Sequence, residues 1–308
     1  MVDNNILDKH AYCIIAHSEK VLLHTLLRLL DDPLNDIYLL IDAKSSLRGC
    51  KLPELSCSRL YVVPSIKIWW GEYSQIDAEL RLFEYAHNNG RYSYYHLLSG
   101  VDMPIKSQKQ IHEFFRENNG AEFVELWNQN DFKTVIYKRL RKHYFHNYKR
   151  IEKRTMRQSI VRFAQKQLLS LNKKFSRKPT EEWYASHKMG PNWVSVTDDF
   201  IAYLLSKKKE IKKEYSHSFC ADEIFLQSVL FKSPFYSNVY RCDEKTGTTG
   251  GKDIYGRNMR LIDWDRGEPY TFTSDDIPEI TKSDCLFVRK VDSNDEKLLN
   301  YIVSMVKS

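Results

Sequence analysis

Tyr94–Ile105, YYHLLSGVDMPI, is the stretch on which the reading of the fold turns. Tyr94, Tyr95, Leu97 and Leu98 are apolar or aromatic strand formers. Ser99, Gly100 and Asp102 break the run, and Pro104 stops it. This is a buried strand leaving through a small-residue turn that carries a carboxylate. In an open α/β sheet, ligands sit beyond the carboxyl ends of the strands, and such a turn suits a nucleotide or sugar there. An ordinary strand followed by an Asp-Pro-type turn has the same pattern, so the surrounding chain must decide.

Upstream, Ala11–Ala16 (AYCIIA) is a strand and His17–Ser18 a turn. Glu19–Leu30 is an amphipathic helix closed by Asp31-Asp32-Pro33. Asp36–Ile41 is continuously apolar, as a parallel strand covered on both faces must be, and it ends in Asp42-Ala43-Lys44-Ser45. Strand, helix and strand within some 30 residues make a βαβ unit. Asp42, at the end of its second strand, is placed either to meet a ribose or base edge or to cap a loop. Leu60–Pro64 is a third strand and Trp69-Trp70-Gly71 a loop. Ser74 and Asp77 suggest a capping box opening a helix through His87. Downstream, Ser107 and Gln110 cap another helix, and Ala121–Trp127 is a further strand. The pattern predicts an α/β fold with a mixed, mostly parallel central sheet flanked by helices.

Past residue 137 the chain changes character. Between Lys138 and Lys178 stand 15 Lys/Arg against one acidic residue, Glu152. The segment reads as helical, with Ile151, Ile160, Phe163, Leu168 and Leu171 as a loose stripe and Pro179 closing it. It is either a solvated charged helix or a patch for phosphates or an anionic membrane surface. No nucleic-acid recognition module accompanies the charge, so nucleic acid is not expected as a partner. Asn192–Thr197 is a strand, Thr197 caps a helix, and Lys207–Lys213 is an exposed run. A helix over Ile224–Leu230, a polar loop over 241–257, strands at Met259–Trp264 and Cys285–Val291, and a helix over Glu296–Val306 follow. One domain over 1–308, with a basic helical insertion at about 138–179, is the expected organisation.

A hydrophobic share of 42% with 13% aromatic residues indicates a folded globular chain. No run of about 18 apolar residues is present, and the first residues lack the features of a secretory signal, so a cytoplasmic protein is expected. The six cysteines have no metal-ligand spacing and read as reduced thiols.

Three features could carry chemistry. Asp222-Glu223 falls at a helix start, where the positive helix end favours an ionised carboxylate fit to take a proton from a hydroxyl. Charge complementation of the helix end explains the pair equally well. Arg266 and Lys290 each follow a strand-like segment, and two converging cations could neutralise a diphosphate leaving group; alternatively they are surface charge. Asp263-Trp264-Asp265 is a DxD of the kind that holds a divalent metal, but Arg266 follows at once, and no metal is expected. Gly247–Asp253 (GTTGGKD) fails as a phosphate loop, having Thr246 and Asp253 where Gly and Ser or Thr are needed.

Taken in order, AYCIIAHSEKVLLHTLLRLL, YLLIDAKSS, WWGEYSQIDAELRL, YYHLLSGVDMPI, GPNWVSVT, ADEIFLQSVL, RLIDWDRGEPYTF and SDCLFVRKVD resemble the core-2/I-branching β-1,6-N-acetylglucosaminyltransferases and the related peptide O-xylosyltransferases. The resemblance spans roughly 11 to 292. It implies a GT-A-like fold and an inverting transferase that works without a metal on a UDP-sugar, N-acetylglucosamine ahead of xylose or glucose. It puts Glu223 on the catalytic base, Lys290 on the lysine at the donor diphosphate, and Arg266 near that lysine's arginine partner. Asp42 falls on the uridine-contacting aspartate. Ser99, Gly100 and Asp102 fall on the donor-side turn, and Ala16 and His17 at the end of the first strand join that donor set. The acceptor expected is a glycan or, from the basic segment 138–178, a lipid-linked glycan in surface polysaccharide or glycoconjugate assembly, met peripherally at the inner face of a membrane. A non-catalytic sugar- or polyanion-binding protein is the alternative.

Overall fold

The computed structural model describes residues 8–140, 156–175, 180–240, 248–249 and 252–307. In chain order its elements begin β1 (His10–Ala16), α1 (Lys20–Leu29), β2 (Asn35–Ile41), β3 (Arg59–Val63), α2 (Ser74–Asn89), β4 (Tyr94–Ser99), β5 (Met103–Pro104) and α3 (Gln108–Glu117). Then come β6 (Leu126–Trp127), α4 (Gln129–Leu140), α5 (Met156–Phe175), α6 (Glu181–Ala185), β7 (Ser195–Thr197), α7 (Asp198–Ser206), α8 (Lys208–Tyr215) and α9 (Phe225–Phe231). The remainder is β8 (Thr248–Thr249), β9 (Lys252–Gly256), β10 (Arg260–Ile262), α10 (Ile277–Lys282), β11 (Phe287–Arg289) and α11 (Glu296–Lys307).

The central sheet has the order β3-β2-β1-β4-β7. Its first four strands run parallel, and β7 lies antiparallel beside β4. Alternation along the strands sends residues to opposite faces and so builds two cores. Ala11, Cys13, Tyr38, Leu40, Tyr95 and Leu97 face a core completed by α2, α7 and α9. Tyr12, Ile14, Ile37, Leu39, Tyr94 and Leu98 face a second, completed by α1 and α11. Burial on both faces is what demands the continuous apolar runs seen in the sequence. The expected α/β fold with a mostly parallel sheet flanked by helices is therefore the observed one.

Two smaller sheets border the first. In one, β11 runs parallel to β10 and antiparallel to β5. The other has the order β6-β9-β8. Three local expectations change. Ala121–Trp127 is a strand only at Leu126–Trp127, since Glu122 and Phe123 make single bridges to Val239 and Ser195 instead. The lysine run folds into α8, which buries Ile211 and Tyr215 against the core and leaves its charges outward. The Ser107–Gln110 capping box forms, but Ser74 accepts a bond from the Trp69 amide at 2.8 Å rather than capping α2. Of the basic segment, α4 and α5 are described; 141–155 and 176–179 lie outside the described residues. Among the described residues, no helix is long and apolar enough to cross a membrane.

Candidate active site

A cleft of about 1690 Å³ opens beyond the carboxyl ends of β1, β2 and β4. That exceeds the roughly 300–1,000 Å³ of a typical small-ligand pocket and has room for a donor beside an acceptor. Of the residues singled out in the sequence, His17, Asp42, Ser99, Glu223 and Lys290 line it. Ala16 and Gly100 lie behind the lining. The Ala16 carbonyl accepts from the Asp42 amide at 2.9 Å, and the Gly100 amide donates to the Ile15 carbonyl at 2.9 Å. A Cβ at position 100 would come 3.1 Å from Ala16 Cβ, so a side chain there would press the β4 turn off β1. Asp42 ties its own loop, with Oδ1 accepting from the Lys44 amide at 2.9 Å and the Ile68 amide at 3.2 Å.

Asp102 is fully buried, directly behind Ser99. It accepts from the Ser99 amide at 2.8 Å and the Ser99 hydroxyl at 2.9 Å, which closes the turn. Pairing of β11 with β5 sets Val288 against Met103 and Phe287 against Pro104, so the register brings Arg289 across from Asp102. Arg289 Nη1 donates to Asp102 Oδ1 at 2.6 Å, and its guanidinium lies over the Trp193 ring at 4.0 Å. Arg289 lines the cleft next to Lys290. The His17 ring stands at the mouth. Partial burial, opposed by Asp42 and joined by the charges of Arg289, Lys290 and Lys44, holds its pKa below 6.5. The His17 ring is therefore neutral at neutral pH, beside a group of cations.

Glu223 ends a 3₁₀ turn, Ala221–Glu223, just before α9. Arg139, in the last turn of α4, donates to Glu223 Oε2 at 2.5 Å and to the Cys220 carbonyl at 3.1 Å. Burial opposes the Arg139 charge, yet the adjoining Glu223 carboxylate raises its pKa on balance. Asp222 is buried and also lines the cleft beside Glu223. Burial and then the Glu223 charge, against Arg139, push its pKa up to about 7. It accepts from Gln75 Nε2 at 2.9 Å. Glu79, also buried, receives a bond from Asn192 Nδ2 at 2.9 Å. Burial and the Asp222 charge drive its pKa well above 4.5, so it holds its proton. Gln75 also accepts from the Gly71 amide, and the Gly71 carbonyl accepts from the Cys220 amide at 2.8 Å. The Trp69-Trp70-Gly71 loop and the Glu223 turn are thereby wired into one unit.

Arg266 is not brought to the cleft. Its guanidinium bonds Asp263, Asp276 at 2.5 Å and Glu279 at 2.6 Å, and lies over the Tyr270 ring at 4.1 Å. The DxD is drawn into the same corner, with Asp263 Oδ1 accepting from the amides of Asp265 and Arg266. Among the described residues, no group of three or more His, Cys, Asp or Glu is arranged to hold a metal ion. The sequence reading passed over Arg289, Arg139, Gln75 and Glu79. Arg289 was visible beside Lys290 in LFVRK, whereas Arg139 was submerged in the basic run.

The cleft lies at the strand ends and is lined by a carboxylate on a 3₁₀ turn and by adjacent cations. The family model for Core-2/I-Branching enzymes matches residues 10–286, and the chain belongs to that family. It is also similar to the protein named Xylosyltransferase oxt of Drosophila pseudoobscura pseudoobscura. The two are 23% identical over 296 residues, covering 87% of this chain and 29% of that protein. The chain thus spans less than a third of the relative's length.

Proposed function

We propose that the protein transfers a sugar, N-acetylglucosamine first among candidates, from a UDP-sugar to a hydroxyl of a glycan or lipid-linked glycan. The reaction inverts the anomeric centre and uses no metal. Glu223 takes the proton of the acceptor hydroxyl, whose oxygen forms the new bond to the anomeric carbon. The bond from that carbon to the β-phosphate oxygen breaks, and its electron pair leaves with UDP. Lys290 and Arg289 neutralise the charge that develops there. Arg139 engages one carboxylate oxygen of Glu223 and leaves the other for the acceptor. Ser99, Asp42 and His17 shape the donor pocket, with Ala16, Gly100 and Asp102 behind them. Arg266 has no part in the chemistry. The basic segment 138–178 draws the enzyme peripherally to anionic membrane, where lipid-linked acceptors of polysaccharide or glycoconjugate assembly reside.

The observation that carries this reading is that Glu223 lines one cleft with Arg289 and Lys290, which are remote from it in sequence. UDP-xylose is the second candidate donor, because the Drosophila relative is named a xylosyltransferase; UDP-glucose is a third. The test is UDP release and product formation by Glu223→Gln. General-base help is worth about 10²–10⁴-fold, so transfer should fall by that factor while UDP binding stays intact. EDTA should leave the wild-type rate unchanged. Wild-type transfer by the variant removes Glu223 from this role, and absence of UDP release with every donor and acceptor would favour a non-catalytic binding protein.

A further inference from the structure

Among the described residues, nine large hydrophobic side chains are exposed, and α5 alone carries four of them. These are Met156 (85% exposed), Ile160 (65%), Phe163 (64%) and Leu171 (53%). At 100° per residue they fall within one narrow stripe along the helix. Val161, Leu168 and Leu169 are half-buried and fall on the other side. The stripe therefore points away from the protein, along a 20-residue helix about 30 Å long. Burying Ile, Phe and Leu is favourable, so a stripe of them left in water calls for an occupant.

The charge pattern selects that occupant. Between Met156 and Phe175 the sequence has Arg157, Arg162, Lys166, Lys173 and Lys174 and no Asp or Glu. By helical register, positions 162, 166 and 173 form a band alongside the stripe. An apolar strip edged by cations matches a bilayer interface, where acyl chains lie beneath phosphate headgroups. A second copy of the chain would bring cations against cations. Nucleic acid would meet the cations but leave Ile160 and Leu171 without a use.

We propose that α5 is an interfacial anchor that lays its Ile160–Phe163–Leu171 stripe into the surface of an anionic bilayer. This rests on the membrane contact proposed above for segment 138–178 and adds insertion to attraction. Electrostatic adsorption is reversed by salt, whereas inserted apolar surface is not.

The test is flotation of the full chain with phosphatidylglycerol-containing or pure phosphatidylcholine vesicles, at low and high salt, for wild type, Phe163→Asp and Ile160→Asp. Both sites are exposed, so the melting temperature and transfer to a water-soluble acceptor should not change. Wild type should float with the anionic vesicles and stay bound in high salt. Each substitution should weaken partitioning about tenfold or more, the scale of burying one such side chain. In Phe163→Trp, the new fluorescence should shift to the blue and be quenched by brominated acyl chains. Flotation that salt abolishes and the substitutions leave intact would overturn insertion while sparing attraction. Failure of wild type to float at all would overturn both, with transfer to the soluble acceptor still reporting on the enzyme separately. Dimerisation through the stripe, or RNA binding that protects it, would also overturn the proposal.

Discussion

The Arg266 guanidinium lies over Tyr270 at 4.1 Å, and that of Arg289 lies over Trp193 at 4.0 Å. Both also bond carboxylates, yet the counter-charge differs. Arg266 meets Asp263, Asp276 and Glu279. Arg289 meets Asp102, which is spent on the Ser99 turn as well, and Lys290 follows it in the chain. One corner is an acid-saturated structural knot. The other keeps cations facing the cleft. How available an arginine is to an incoming anion is set by how many carboxylates already share its field, not by its nearness in sequence to a lysine.

The sharpest way to break this contrast is to truncate each arginine in turn. Arg289→Ala should lower kcat by about 10²–10³-fold, the usual loss for one preorganised group that stabilises developing negative charge. Arg266→Ala should leave kcat within about threefold. Its effect belongs in stability and should be small, since exposed ion-pair networks contribute modestly. Steady-state kinetics and melting curves on the two variants separate the effects. A large kcat loss in Arg266→Ala with a normal melting temperature would reverse the assignment of the two corners.

Asp102→Asn sharpens the comparison from behind. The carboxylate is fully buried, and the amide cannot accept from the Ser99 amide, the Ser99 hydroxyl and Arg289 together. Removing one partner of a buried pair costs about 3–5 kcal/mol, and the opening of Arg289 onto the cleft should hold the loss near about 3 kcal/mol. With Asp102 neutral, a bound diphosphate becomes the main counter-charge for Arg289. UDP should therefore raise the melting temperature of the variant more than that of wild type. An equal or smaller shift would mean that Arg289 does not meet the diphosphate.

The same contrast shows which parts of the molecule sequence alone could reveal. β1, β2 and β4 are buried on both faces, so their apolar runs declare them. The Ser107 box is local and forms as written, whereas the Ser74 hydroxyl is diverted by the Trp69 amide, a contact no capping pattern encodes. Lys290 could be found by its motif. Arg289 stood beside it, but its partner is 187 residues away and meets it only through β5–β11 register. Arg139 and Glu223 are 84 residues apart, and the surrounding basic block hid the one arginine that reaches inward. For Arg266 the signal was present and local: Asp263, Asp276 and Glu279 all lie within 13 residues of it.

The acid cluster beneath Glu223 supplies the smallest effect, and a sign that distinguishes it from the cation corner. Glu79 keeps its proton in the folded state, and Asp222 keeps its own up to about pH 7. Unfolded, the two would ionise near 4.5 and 3.8. A carboxyl whose folded pKa is raised contributes stability that is fully present below the unfolded pKa and is lost as pH rises towards the folded one. These two groups therefore weaken the fold between about pH 4 and 7. Glu79→Gln fixes the neutral form and can still accept the Asn192 bond. The amide nitrogen takes the place of Oε2, an atom with no hydrogen-bond partner among the described residues, so no existing bond is lost there. The variant should match wild type near pH 4 and be the more stable of the two at pH 7.5. Denaturant melts at the two pH values read the difference. A variant less stable than wild type at pH 7.5 would show that Glu79 is ionised in the fold, and that the cluster balances Arg139 by charge rather than by a stored proton.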